Sequence, residues 1–129
     1  MSILLNAVTK ATSDAAAVYS QVIKVMAPPS GGAQYTYRTF QGILRNSTAV
    51  ASATTITVLV SNDPVAESTT PLLAAWMTLG TITLSGTPSA TGNLNDGFAS
   101  NANWKYVRAT IAQSATTGAG SVVSLIMGA

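Results

Sequence analysis

The chain has no cysteine and no histidine among its 129 residues. The first absence excludes disulfides and thiolate metal sites. The second removes the commonest general base and the commonest metal ligand. Carboxylates are scarce as well. Only four exist, Asp14, Asp63, Glu67 and Asp96, and they are scattered along the chain. Charge of either sign is low, at 8 % of residues, against about 25 % in ordinary soluble domains. The surface must therefore be built from Ser, Thr, Ala, Gly and Asn. A free monomer keeps more charge than this for solubility, whereas a subunit covered by neighbours needs less. The net charge of +2 comes from Lys10, Lys24, Arg38, Arg45, Lys105 and Arg108. They stand singly, so no basic patch for nucleic acid is expected. No apolar run approaches the about 20 residues of a membrane span, and the start, MSILLNAVTK, does not read as a signal peptide.

What is present alternates with a period of two. In TTITVLV, residues 54–60, Ile56, Val58 and Val60 fall on one face. That is the pattern of a half-buried strand. Asn62-Asp63-Pro64 then supplies turn chemistry. WMTLGTITLSG, residues 76–86, sets Ile82 and Leu84 against Thr81 and Thr83. WKYVRATIA, residues 104–112, sets Val107, Ala109 and Ile111 against Tyr106, Arg108 and Thr110. SVVSLIM, residues 121–127, follows a Gly-rich turn and is expected to form a hairpin with the strand before it. SQVIKVM and YTYRTFQGIL, residues 20–26 and 35–44, also read as strands, split by Pro28-Pro29-Ser30-Gly31-Gly32. Residues 13–25 are ambiguous. Asp14 has the chemistry of a helix N-cap, but Val18, Val22, Ile23 and Val25 favour an extended chain. Six to eight short strands in one domain, residues 1–129, predict an all-β sandwich or jelly roll.

Chemistry is hard to assemble from these residues. No hydroxyl has a histidine beside it, and no Ser-x-x-Lys occurs, so nucleophilic catalysis lacks its base. Asp63 and Asp96 are the only carboxylate pair to weigh for glycoside hydrolysis. Each reads more simply as a turn cap. Asn93-Leu94-Asn95-Asp96-Gly97 is the one stretch resembling a cation loop, with a single carboxylate where calcium wants several oxygens. We expect no catalytic residues, metal or cofactor. Trp76 and Trp104 are candidates for an aromatic face that stacks on sugar rings. The plainer reading has them filling the ends of the core. Arg108 is a candidate to pair with Asp96 or with a partner subunit, or to lie on a solvated strand face.

Ser61-Asn62-Asp63-Pro64, the WMTLGTITLSG strand, DGFASNANWKYVRATIA and the terminal SVVSLIMGA together resemble small structural proteins of tailed bacteriophages. LLNAVT, residues 4–9, adds a looser match. The resemblance implies a jelly-roll subunit of a virion. Its foremost form is a capsid decoration, or cement, protein on the capsid surface, assembled in the host cytoplasm. It would bridge major capsid subunits and form homo-oligomers, dimers or trimers. A tail, collar or fibre subunit is the alternative within the same class. A carbohydrate-binding jelly-roll module using Trp76 or Trp104 is the alternative from another class. A cement protein works by burying surface, and about 1,600 Å² suffices for a specific contact. Low charge lowers the desolvation cost of that burial. Residues 1–12, apolar at Ile3, Leu4, Leu5 and Val8, are expected either to reach a neighbour's sheet edge as an arm or to form the first strand of their own sandwich.

Overall fold

A computed structural model describes residues 2–10, 18–19, 22–24, 38–45, 52–86, 93–101, 104–113 and 121–128. Among the described residues nine strands form: β1 (Ser2–Lys10), β2 (Val18–Tyr19), β3 (Ile23–Lys24), β4 (Arg38–Arg45), β5 (Ser52–Ser61), β6 (Met77–Gly86), β7 (Asn93–Ser100), β8 (Tyr106–Gln113) and β9 (Ser121–Gly128). They make two antiparallel sheets. One has the order β1-β9-β4-β7. The other has the order β2-β8-β5-β6, with β3 also on the outer side of β8. The chain is an all-β sandwich.

The pairing is nested. β1 lies against β9, β2 and β3 against β8, β4 against β7, and β5 against β6. Taking β2 and β3 as one interrupted strand, this is a long eight-stranded hairpin rolled up once, the topology of a jelly roll. The core follows from the two-residue period. Phe40 and Leu44 of β4 and Val123, Leu125 and Met127 of β9 face Ile56, Val58 and Val60 of β5. Ile82 and Leu84 of β6 and Val107, Ala109 and Ile111 of β8 complete the same buried cluster. Gly42 of β4 lets the sheets approach closely. A Cβ there would stand 2.6 Å from the Ile56 Cδ1 atom.

The structure bears on four expectations. β8 and β9 do not form a hairpin; they lie in different sheets. Both carry inward residues at alternate positions, so a hairpin and a crossing between sheets share one sequence pattern. Residues 93–97 are not a cation loop but the start of β7, with Asn95 opposite Ile43 and Asp96 opposite Gly42. Asp96 is therefore within a strand rather than capping its end. Residues 2–10 pair with β9 of their own chain, from Ser2 opposite Met127 to Lys10 opposite Ser121. The ambiguous 13–25 segment is extended at Val18–Tyr19 and Ile23–Lys24, and residues 11–17 lie outside the described residues.

Candidate partner-contact site

The connection from β5 to β6, residues 62–76, is the most elaborate local structure described. Ser61 at the end of β5 and the first three residues of the connection each have a separate hydrogen-bonding or conformational task. The Ser61 hydroxyl donates to the Ala75 carbonyl at 2.7 Å and accepts from the Asp63 N–H at 2.9 Å. Asn62 Oδ1 accepts from the Lys105 N–H at 2.9 Å, tying the loop to the start of β8. Asp63 uses both carboxylate oxygens. One accepts from the Val65 N–H at 3.0 Å and the other from the Ala75 N–H at 2.9 Å. Pro64 opens a 3-10 turn, Pro64–Glu67, where its missing N–H costs nothing. A second 3-10 turn, Pro71–Leu73, follows. Between them the Ser68 hydroxyl donates to the Val65 carbonyl at 2.7 Å and accepts from the Thr70 N–H at 3.1 Å.

The underside of this loop covers the outer face of β8. Tyr106 packs with Ala66 and Ala74 in a second buried cluster, flanked by Val22 and Trp76. Arg108 is only 4 % exposed, its Cζ 5.4 Å from the centre of the Trp76 ring. That is the reach of a cation–π contact. The Trp76 indole N–H donates to the Pro71 carbonyl at 2.8 Å. Lys24 of β3 reaches Glu67 at 2.9 Å. The buried Tyr106 hydroxyl makes no hydrogen bond of good geometry, yet lies near enough to Glu67 to help hold it ionised.

Electrostatics follow from these contacts. The backbone N–H groups of Val65 and Ala75 hold Asp63 below its ordinary 3.8. The Lys24 hydrogen bond holds Glu67 below its ordinary 4.5, and the same bond raises Lys24 above 10.5. Asp63 thus serves as a clamp, with both oxygens occupied by backbone donors. Among the described residues no three metal-ligating side chains gather, and no helix is long and apolar enough to cross a membrane.

The upper side of the loop is apolar and open. Leu72 is 58 % exposed and Leu73 is 76 % exposed. With Thr69, Thr70, Pro71 and the rim of Arg108 they line a shallow cleft. Two adjacent, exposed leucines form an apolar ledge on a loop tied by six hydrogen bonds. The signal for it was in the sequence, as Pro71-Leu72-Leu73 standing outside any strand period.

The residues singled out from sequence do not converge. Ile3, Leu4 and Leu5 lie in β1, an edge strand, whose pairing with β9 is irregular between Ile3 and Leu5 and again between Leu5 and Val8. Arg108 is in the opposite sheet from Asp96, so that pair does not form. Arg108 does not lie on a solvated face, because the 62–76 loop covers it and only its rim reaches the cleft beside Leu72 and Leu73. The two tryptophans pack against different clusters, Trp104 on the main core and Trp76 under the loop.

No protein-family description matches the chain, and no curated protein matches it. Solved structures do. The PBSX exported protein XepA overlaps 98 % of this chain at a TM-score of 0.54 and 16 % identity. The enzymatically active domain of tailspike protein 4 from bacteriophage CBA120 overlaps 95 % at a TM-score of 0.52 and 13 % identity. These likenesses establish a shared fold. This chain spans 36 % of the first protein and 15 % of the second.

Proposed function

We propose that this chain is a structural subunit of a bacteriophage particle, a capsid decoration protein that bridges major capsid subunits by packing and performs no catalysis. The observation that carries the reading is the Leu72–Leu73 ledge. It is exposed apolar surface on a pinned loop, in a chain whose charged fraction is 8 %. Isolated exposed leucines are ordinary, but an adjacent pair beside an open cleft is apolar surface that a partner can cover. The occurrence of the same fold in a bacteriophage tailspike supports the phage setting.

That same likeness favours a second reading within the class, a tail or fibre subunit. Imaging intact particles and locating the chain separates the two. Many copies spread over the shell support decoration, and a few copies confined to one vertex support the tail. Particles stripped of the protein should lose resistance to heat and low salt. Unchanged resistance would sink the clamping role.

A further inference from the structure

The sandwich has four edges among the described residues: β1 and β7 on one sheet, β6 and the β2–β3 pair on the other. An open strand edge is a template for unwanted pairing, and proteins blunt it with charge, proline or irregularity. Three of these edges are blunted. β1 carries Lys10 and an irregular register, β3 carries Lys24, and β7 carries Asp96. β6 is ten residues long and has no charged residue and no proline. Its register with β5 is irregular once, near its start. From there Gly80–Gly86 pairs residue by residue with Ser52–Val58.

We propose that the β6 edge is a self-association surface, where two copies of this chain pair their β6 strands antiparallel about a twofold axis at Thr83. The self-complementarity of the strand carries this. On that axis Thr83 meets its own counterpart and Thr81 meets Ser85, so hydroxyl opposes hydroxyl on the exposed outer face. Ile82 meets Leu84, both 2 % exposed and directed into the cores. Gly80 meets Gly86. A twofold contact must be complementary to itself, and here no pair sets a charge, or a polar group, against an apolar one. Cross-strand threonine and aliphatic pairs are favourable. A shift of one residue in register would turn every side chain to the wrong face. Any other axis that keeps the faces leaves part of the regular Gly80–Gly86 stretch unpaired. The product is one continuous sheet built from both five-stranded sheets. It stands whether or not the chain belongs to a phage.

The test uses the full chain. Sedimentation across concentration should show a monomer–dimer equilibrium. The chain has no cysteine, so T83C is a clean reporter. Under mild oxidation it should give a disulfide-linked dimer, while T81C should crosslink far more slowly. T83K sets two ammonium groups face to face and should raise the dimer dissociation constant roughly tenfold. Q41K puts the same charge on an exposed position of the central strand β4 and should leave association unchanged. Circular dichroism of each variant confirms the fold. A chain still monomeric at about 100 µM, a trimer, or a dimer indifferent to T83K that T83C does not crosslink would each overturn the proposal.

Discussion

Asp63 accepts a hydrogen bond from the Ala75 N–H at 2.9 Å, across twelve residues of chain. The same carboxylate caps the first 3-10 turn through Val65. One side chain thus closes the loop that carries the leucine ledge. Removing it with D63A leaves two backbone donors without their acceptor. The sandwich core, contributed by other residues, should persist. We expect amide exchange at Val65 and Ala75 to speed up by roughly tenfold or more while β5 and β8 stay protected, as in local opening. Uniform loss of protection across the sheets would contradict a local clamp.

The loop's one described ion pair and its backbone-held carboxylate set a pH window with a definite sign. Asp63 and Glu67 have folded values below their ordinary 3.8 and 4.5. Their stabilisation is complete above those ordinary values and disappears as pH falls through the lower folded ones. Lys24 is raised above 10.5. Its contribution is complete below that value and is lost as pH rises through the folded one. Urea midpoints should therefore be flat between about pH 5 and pH 10 and fall on both sides. The Lys24–Glu67 pair is half-exposed, so its share is small and weakened by salt. E67Q should flatten part of both limbs, and D63N part of the acid limb alone. An alkaline limb unaltered in E67Q would refute the assignment to Lys24.

Phe98 of β7 stands where a side chain on Gly80 of β6 would go. A Cβ at position 80 would lie 2.5 Å from the ring. Phe98 is also stacked on Phe40, with centroids 5.0 Å apart. The ring therefore closes the sandwich between two edge strands of different sheets. G80A should cost about 1–3 kcal/mol by overpacking. F98L vacates the ring's edge, so the double variant should be less unstable than the two single losses summed. Chemical denaturation of all four proteins measures that coupling, and simple additivity would argue against the contact.

The sandwich was legible because its strands are half-buried. Ile56, Val58 and Val60, or Val107, Ala109 and Ile111, cannot alternate so regularly without one face in a core. What was not legible is anything the period leaves open. β8 and β9 look like a hairpin because alternation records which face is buried and not which sheet supplies the neighbour. Asn93–Gly97, the start of β7, looked like a loop because Asn, Asp and Gly favour turns. Its exposed edge position asks little of its sequence, and pairing with β4 decides its state. A solvated face was one of the expectations for Arg108 because a charged residue on the outward face of a strand usually lies in water. The 62–76 loop covers it, a long-range contact that no local pattern encodes. The turn Ser61-Asn62-Asp63-Pro64 was read correctly as a strand end, but its bonds to Ala75 and Lys105 reach 12 or more positions away.

The Leu72–Leu73 ledge separates fold from function, and so gives the sharpest test of the proposed role. Both side chains are mostly in water, so neither contributes much to the isolated domain. L72S and L73S should each change unfolding stability by less than about 0.5 kcal/mol. At an interface the same side chains would leave water, and full burial of a leucine is worth about 1.5–3 kcal/mol. The double variant should then bind stripped particles at least tenfold more weakly than the unaltered chain. Its sedimentation behaviour should not change, because Leu72 and Leu73 lie outside the Gly80–Gly86 stretch proposed to pair. Co-sedimentation with stripped particles, with unfolding followed in parallel, reads both quantities. Unchanged binding would remove the ledge from the contact and with it the observation on which the decoration role rests. Lost binding with lost stability would instead show that the leucines hold the loop together.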